Sequence, residues 1–353
     1  MIRTVNLKKS FSTGVFKRKR VNAVNGVSID IQPGETLGLV GESGCGKSTL
    51  GRMMLRLLEP TEGKVYLDRV DLMALGLGEL QRTRSKMQII FQHPESALNP
   101  RMKIYESIME PMQIQQVYNS RREERKKAYE LIDLVGLNKE HLNRYPHELS
   151  GGQIQRAVLA RILSLKPCFI VADEPTSMLD VSVQAQVLNL LKDIQKMFNI
   201  AYLFISHDLE VVCWMSDRTA IMYKGDIVEI GPSKTVYDNP RHPYTRMLVK
   251  AFSQLGQENK YGTMLKDDYK KGTVPDHASG CSFYSRCPQA SMGCEKKPEL
   301  RHIKEGHFVA CHEIKDEQFR GTYEEDILRR AADFRPFLER YLDEYLEEAV
   351  KND

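Results

Sequence analysis

The sequence predicts an α/β fold: a mostly parallel, buried sheet with a phosphate-binding loop at its carboxyl edge. Three observations point there. The apolar run Thr36-Leu37-Gly38-Leu39-Val40 leads into Gly41-Glu42-Ser43-Gly44-Cys45-Gly46-Lys47-Ser48-Thr49, which fits G-x-x-x-x-G-K-[ST]. Leu50, Met53, Met54, Leu57 and Leu58 then recur at helical spacing, so strand, glycine loop and helix follow in the order a phosphate cradle needs. Further strand-length apolar runs at 87–91, 168–172 and 201–205 alternate with helical patterns, which implies strands buried on both faces of a parallel sheet.

Taken in order, residues 21–31 alternate apolar and polar positions and end at the turn Gln32-Pro33-Gly34-Glu35, which predicts two short strands or a hairpin. Upstream lie Phe11, Phe16 and the basic run Lys17-Arg18-Lys19-Arg20. An exposed aromatic there can stack on a nucleotide base, and core packing under a basic loop is the alternative. Residues 63–67 read as another strand. After Gln92 the pattern turns helical and more polar until about 148, and Ser120-Arg121-Arg122-Glu123 is a capping box opening one of its helices. This stretch marks a helical insertion into the α/β core. Residues 220–229 read as a hairpin across Lys224-Gly225-Asp226. The nucleotide-binding core should be complete beyond Gly231-Pro232. Residues 253–280 suggest a linker, 281–315 a cysteine module, and 316–353 a helical tail. In that tail Thr322-Tyr323-Glu324-Glu325 is a capping box, and Asp333 with Pro336 suits a second helix start.

The 353 residues are enough for about two domains, and 28% charged against 41% hydrophobic residues is ordinary for a globular protein. A net charge of +4 is too small to argue for nucleic acid, and no nucleic-acid partner is expected. The first residues have no apolar core, so no signal peptide is expected. No apolar stretch approaches the roughly 20 residues of a membrane span. A cytosolic chain is expected, with any membrane role supplied by a spanning partner.

The chemistry gathers at strand ends. Glycines let the loop's N–H groups turn inward, while the helix aims its positive end at the same point. Gly41, Ser43, Gly44, Cys45, Gly46, Lys47, Ser48 and Thr49 are the expected phosphate contacts; Lys47 would reach the outer phosphates and Ser48 would take a Mg²⁺ position. Asp173, at the end of an apolar strand, suits the carboxylate that holds Mg²⁺ opposite Ser48. Glu174 beside it would face the γ-phosphate and could polarise the attacking water. Gln92 and His207 fall at neighbouring strand ends, on the rim where ligands of such sheets sit. Leu149-Ser150-Gly151-Gly152-Gln153 opens a further helix and forms a second anion site. One chain has little use for two, so a dimer that places this site over its partner's γ-phosphate is the economical reading.

The P-loop, Gln92, Leu149-Ser150-Gly151-Gly152-Gln153, Asp173-Glu174, Ser177-Met178-Leu179-Asp180 and His207 occur in the order of the ATP-binding cassette (ABC) ATPases, which roughly residues 1–250 resemble. The resemblance implies a RecA-like core with an antiparallel β subdomain, a helical subdomain over about 93–165, and a head-to-tail dimer sandwiching two ATPs. It implies Glu174 as catalytic base and His207 on the γ-phosphate. It also implies Gln92 as a catalytic and Mg²⁺-side residue coupled to membrane subunits, Asp180 at the dimer seam, and Phe11 (or Phe16) on adenine. Leu50-Gly51-Arg52, residues 92–101 and Asn239-Pro240-Arg241-His242-Pro243-Tyr244-Thr245 look like the dipeptide/oligopeptide permease ATPases, and within that pair the F subunit. Ile154 and Met178 depart from the branch's usual residues. This likeness implies a second ABC ATPase, two transmembrane permease subunits, an extracytoplasmic solute-binding protein acting indirectly, and a place on the cytoplasmic face of the membrane. Nickel or another small solute is an alternative cargo, and a soluble ABC ATPase acting on ribosomes or DNA is an alternative class.

Cys281, Cys287, Cys294 and Cys311, separated by five, six and sixteen residues, make a four-thiolate set that suits a [4Fe–4S] cluster or zinc. The permease-ATPase resemblance implies [4Fe–4S]. His302, His307 and His312 keep zinc open.

Overall fold

The structure is a computed structural model and describes residues 1–13, 19–253, 280–304, 306–314 and 321–333. Phe16, nearly all of the expected linker and the second tail helix therefore lie outside the described residues. The chain opens with β1 (Ile2–Thr13), β2 (Lys19–Val27) and β3 (Asp30–Ile31). β2 and β3 do not pair with each other; both lie antiparallel to β1, which sequence reading had not singled out, with Leu7 opposite Val27 and Ile2 opposite Ile31. β4 (Thr36–Val40) then enters the P-loop and α1 (Lys47–Met54). β5 (Glu62–Leu67) and β6 (Val70–Asp71) return to complete an antiparallel sheet of order β2-β1-β5-β6, with β3 beside β1.

α2 (Leu77–Arg84) and β7 (Met87–Ile90) precede a helical stretch of α3 (Ile104–Gln115), α4 (Arg121–Leu134) and α5 (Gly151–Leu163). Ser120 caps α4 as expected, its Oγ accepting the Glu123 N–H at 3.3 Å, whereas the Glu123 carboxylate turns to the N–H of Asn119. The chain continues through β8 (Phe169–Asp173), α6 (Val181–Phe198), β9 (Ala201–Ile205), α7 (Leu209–Met215), β10 (Arg218–Tyr223) and β11 (Asp226–Pro232). Lys224 and Gly225 have φ of 43° and 90°, the consecutive left-handed residues of a two-residue hairpin turn. α8 (Ser233–Asp238), α9 (Pro243–Ser253), β12 (Arg301–Lys304), β13 (His307–Val309) and α10 (Tyr323–Asp333) follow.

The main sheet has the order β12-β13-β11-β10-β4-β9-β8-β7 among the described residues. From β10 to β7 its strands are parallel. Side chains alternate across it as strand geometry requires. Val40, Ile170, Ala172, Tyr202, Phe204 and Ile221 pack with the helical stretch, α6 and α7. Leu37, Leu39, Val171, Leu203, Ile205 and Met222 pack with α1 and the antiparallel sheet. Both faces are covered, which is why these strands read as continuous apolar runs.

The sheet also continues past Pro232. β13 pairs antiparallel with β11, Glu229 opposite Val309, and β12 pairs with β13. Phe308, Tyr323 and Ile327 are buried in the same apolar layer as Ile29 and Ile31, each contributing roughly 1.5–3 kcal/mol by leaving water. β12 and β13, which lie between Cys294 and Cys311, and α10 beyond them are thus packed onto the sheet and apolar layer of the preceding residues. No described helix is long and apolar enough to cross a membrane.

Candidate nucleotide site

The P-loop owes its path to two glycines. Gly46 has φ of 111°, and a Cβ there would land 2.1 Å from the Ala23 carbonyl oxygen; one on Gly41 would land 2.1 Å from that of Met222. The loop is pressed between β2 and β10 with no room for a side chain at either point. The β10–β11 turn adds a strap, since Gly225 N–H donates to the Cys45 carbonyl and Asn25 N–H donates to the Gly225 carbonyl, both at 2.9 Å. Lys47, almost fully buried, donates from Nζ to the carbonyls of Gly41 (2.7 Å) and Glu42 (3.1 Å), which spans the cradle it encloses.

Ser48 Oγ donates to Asp173 Oδ1 at 2.8 Å. Burial pushes the Asp173 carboxyl above its usual range, and the Ser48 hydrogen bond draws it back. Two hard oxygens from α1 and β8 in contact fit a Mg²⁺ ion, whose ligands are hydroxyl, carboxylate, water and phosphate oxygens. Glu174 follows with φ of 50°, a left-handed conformation that a non-glycine residue holds only under constraint; its N–H donates to the Ile205 carbonyl at 2.9 Å. That turn delivers its carboxylate to Gln92 Nε2 at 2.9 Å and to His207 Nδ1 at 3.4 Å. Asp208 fixes the next helix, accepting the N–H groups of Glu210 and Val211. The ends of β4, β7, β8 and β9 therefore bring Ser48, Gln92, Asp173, Glu174 and His207 to one rim.

Other expected residues sit elsewhere. Phe11 lies on β1 opposite Val21, two residues from the Ala23 carbonyl that touches Gly46, with Lys9 Nζ 5.3 Å over its ring. Ser150 and Gln153 form a reciprocal cap: Ser150 N–H donates to Gln153 Oε1 at 3.0 Å and Gln153 N–H to Ser150 Oγ at 3.4 Å. Ser150 and Gly151 are exposed at the start of α5. Asp180 caps α6, accepting Val183 N–H at 2.9 Å, and those bonds hold its carboxyl below the usual range. Met178 and Val181 beside it are exposed apolar side chains.

Among the described residues no set of three or more His, Cys, Asp and Glu side chains is arranged to hold a metal ion. The four C-terminal cysteines form no disulfide. Burial, with a smaller push from the neighbouring Cys294, Cys287 and Cys311, raises the Cys281 thiol to about 11. They share one locality without a ligating geometry, so the expected iron–sulfur or zinc site does not emerge from their arrangement. Of the histidines weighed for zinc, His307 is buried against Glu229, Nε2 to Oε1 2.7 Å, and His302 Nε2 accepts the Gly306 N–H.

Two residues were missed. Tyr244 Oη accepts the Glu42 N–H at 3.0 Å, and Arg286 reaches the Glu42 carboxylate. Tyr244 stood in a quoted stretch with no role attached; for Arg286 no local signal exists, because its partner is 244 positions away.

A parallel sheet with a P-loop, an apposed Ser–Asp pair and a carboxylate at the adjacent strand end defines a P-loop nucleoside-triphosphate site. Comparison with known proteins narrows this. The family model described as ABC transporter matches residues 24–177, and that described as the C-terminal region of oligopeptide/dipeptide transporters matches 228–294. The putative oligopeptide transport ATP-binding protein YkfD of Bacillus subtilis (strain 168) is 48% identical over 316 residues, 88% of this chain and 95% of that protein. The oligopeptide transport ATP-binding protein AppF of the same organism is 46% identical, over 87% and 95%. Among solved structures, the ATP-binding cassette MJ0796 in a dimeric, post-hydrolysis state bound to ADP and Pi superposes with a TM-score of 0.59 at 30% identity, over 66% of this chain and 99% of that one. The chain belongs to the ABC transporter ATP-binding proteins, in the branch with the oligopeptide/dipeptide C-terminal region. It is an ATPase of that family.

Proposed function

We propose that this chain is one of a pair of ATPases that drive import of di- and oligopeptides through a membrane permease. The observation that carries the catalytic half is the Ser48–Asp173 contact beside a Glu174 held by Gln92 and His207. Ser48 and Asp173, with Gln92 beside them, would hold Mg²⁺, which would supply positive charge to offset that of the phosphates. The P-loop N–H groups and Lys47 hold the β- and γ-phosphates, and Phe11 stacks on adenine. Glu174 orients a water and takes its proton as the water oxygen bonds to the γ-phosphorus. The bond to the β–γ bridging oxygen breaks, leaving ADP and phosphate, and His207 steadies the γ-phosphate. Positioning and charge stabilisation do most of this catalysis.

Among the described residues the capped start of α5 bonds within its own segment and to His141, which supports a role on another molecule. In this reading Ser150, Gly151, Gly152 and Gln153 close over the ATP of a second ABC ATPase, with Asp180 at the seam, and the partner's equivalent closes over this P-loop. ATP closes the pair and hydrolysis reopens it, so two permease subunits are moved by differential binding. Gln92 and the surface over 93–116 transmit the motion at the cytoplasmic face of the membrane, and an extracytoplasmic binding protein supplies the peptide. The name AppF supports the F position in the pair. Cells lacking this chain should lose uptake of small peptides, regain it with the wild type and not with Lys47→Ala. Unchanged peptide uptake without the chain would remove the cargo assignment.

Residues 1–252 are assigned to the nucleotide-binding domain, with 93–165 its helical subdomain. Cys281, Cys287, Cys294 and Cys311 are assigned to a [4Fe–4S] cluster, with zinc the alternative. Support comes from their shared locality and from a C-terminal region match that reaches Cys294. Protein purified without oxygen should show iron, sulfide and the broad visible absorption of the cluster, all lost in Cys294→Ser. Zinc in their place selects the alternative, and neither metal removes the assignment.

A further inference from the structure

The cysteine segment reaches into the P-loop. Arg286 closes the short turn Tyr284–Arg286, and its Nη1 donates to both Glu42 carboxylate oxygens at 3.0 and 3.1 Å and to Tyr223 Oη at 3.3 Å. The guanidinium lies 5.7 Å from the ring centre of Tyr223 and 5.6 Å from that of Phe283. Phe283 is fully buried, edge-on to Tyr223 at 5.2 Å and tilted against Tyr244 at 5.4 Å. Aromatic packing therefore fixes the turn, and Arg286 is delivered from a rigid mount.

Glu42 is gripped three ways. Tyr244 Oη accepts its N–H, Lys47 donates to its carbonyl, and Arg286 neutralises its carboxylate. That carboxylate belongs to the second residue of a loop that must hold a polyphosphate. Left bare, it repels the ligand; paired with a guanidinium, it becomes a neutral strut, and the half-buried setting screens the pair less than open solvent would.

We infer that Arg286 is a positioning residue of the nucleotide site, and that through the Arg286–Glu42 pair the C-terminal cysteine segment sets the affinity for Mg-ATP. This rests on the P-loop being the ATP site. Arg286 touches no ligand itself; it acts through Glu42, by cancelling charge and by holding the loop's entry. Any change that shifts the 281–287 turn, including a change at its cysteines, is thereby felt at the phosphates.

The test uses the full chain, with a fluorescent Mg-ATP analogue titrated for affinity and steady-state ATP hydrolysis for KM and kcat. Arg286→Gln should weaken binding about fivefold, the scale of one partly screened ion pair, and raise KM with kcat kept. Glu42→Gln should bind at least as tightly as wild type. The double variant should return to within about twofold of wild type, because removing the carboxylate removes the need for its partner. Lys297→Gln is the control: it cuts another tie of the segment, to Asp226 Oδ1 and the Asn25 carbonyl, each at 2.6 Å, and should leave affinity unchanged. A double variant as weak as Arg286→Gln, or a Lys297→Gln variant equally weakened, overturns the inference in favour of general loosening of the segment. Lys47→Ala should abolish binding in every background; if it binds normally, the site assignment itself fails, whatever Arg286 does.

Discussion

Replacing Glu174 by Gln should slow ATP hydrolysis roughly a hundred- to ten-thousand-fold, the range a positioned general base supplies, while Mg-ATP binding is kept. The substitution keeps shape, so the effect isolates the proton acceptor. The turn at Glu174 is held by its backbone bond to the Ile205 carbonyl, and that bond is indifferent to the side chain. An amide oxygen can still accept from Gln92 Nε2, now 2.9 Å from the carboxylate, so the rim should stay assembled. What disappears is the anionic oxygen that takes the water's proton. Single-turnover hydrolysis with nucleotide binding measured in parallel separates the two. Undiminished hydrolysis would assign the base elsewhere.

The second large effect concerns stability. Arg218, at the start of β10, joins elements far apart in the chain: its Nη1 lies 2.8 Å from Glu35 Oε1, and its Nη2 lies 3.5 Å from Asp30 Oδ1 and donates to Tyr323 Oη. Tyr323 Oη donates in turn to Asp30 Oδ1 at 2.9 Å, and Gln32 Nε2 to Asp30 Oδ2 at 2.8 Å. Burial pushes the Glu35 carboxyl up, and the Arg218 charge pulls it back. Arg218→Met leaves Asp30 and Glu35 buried without their main cation, a loss worth about 3–5 kcal/mol. The denaturant midpoint of the full chain should fall accordingly. Tyr323→Phe, which removes one hydroxyl that both donates and accepts, should cost about 1–3 kcal/mol. A change under about 1 kcal/mol in the Arg218 variant would show that α10 is held by apolar packing alone.

How much of this could be read from the chain follows from how local each signal is. β4, β8 and β9 announce themselves because helices or a second sheet cover both faces, so all but the end positions Thr36 and Asp173 are apolar. Asp173, Glu174 and His207 are legible because they end such runs, and Ser48 because the P-loop spacing is local. β1 is not: half-buried Arg3, Lys8 and Lys9 interrupt buried Ile2, Thr4 and Leu7, and its partners run from Lys19 opposite Thr13 to Leu67 opposite Ile2. β13 is three residues long and is a strand because β11 and β12 pair with it on either side. The Arg218 network and the Arg286–Glu42 pair join single charged residues across long separations, which leaves no periodicity behind. The cysteines show the converse. Their spacing suggested a ligand set, whereas the folded arrangement brings them near one another without forming one.

In the proposed mechanism nucleotide is clamped by two protein molecules, this chain's α5 start covering its partner's phosphates. Gly151 offers the probe, since a side chain there meets nothing nearer than Leu179 Cδ2 at 3.4 Å within its own chain, whereas one on Gly152 would strike Val183 at 2.5 Å. Sedimentation of the Glu174→Gln chain mixed with its partner ATPase, with and without Mg-ATP and with Gly151→Asp added, tests this clamp. A heterodimer that forms only with Mg-ATP and dissolves when Gly151→Asp sets a carboxylate against the γ-phosphate is the expected result. A pair that forms equally without nucleotide, or survives Gly151→Asp unchanged, contradicts it.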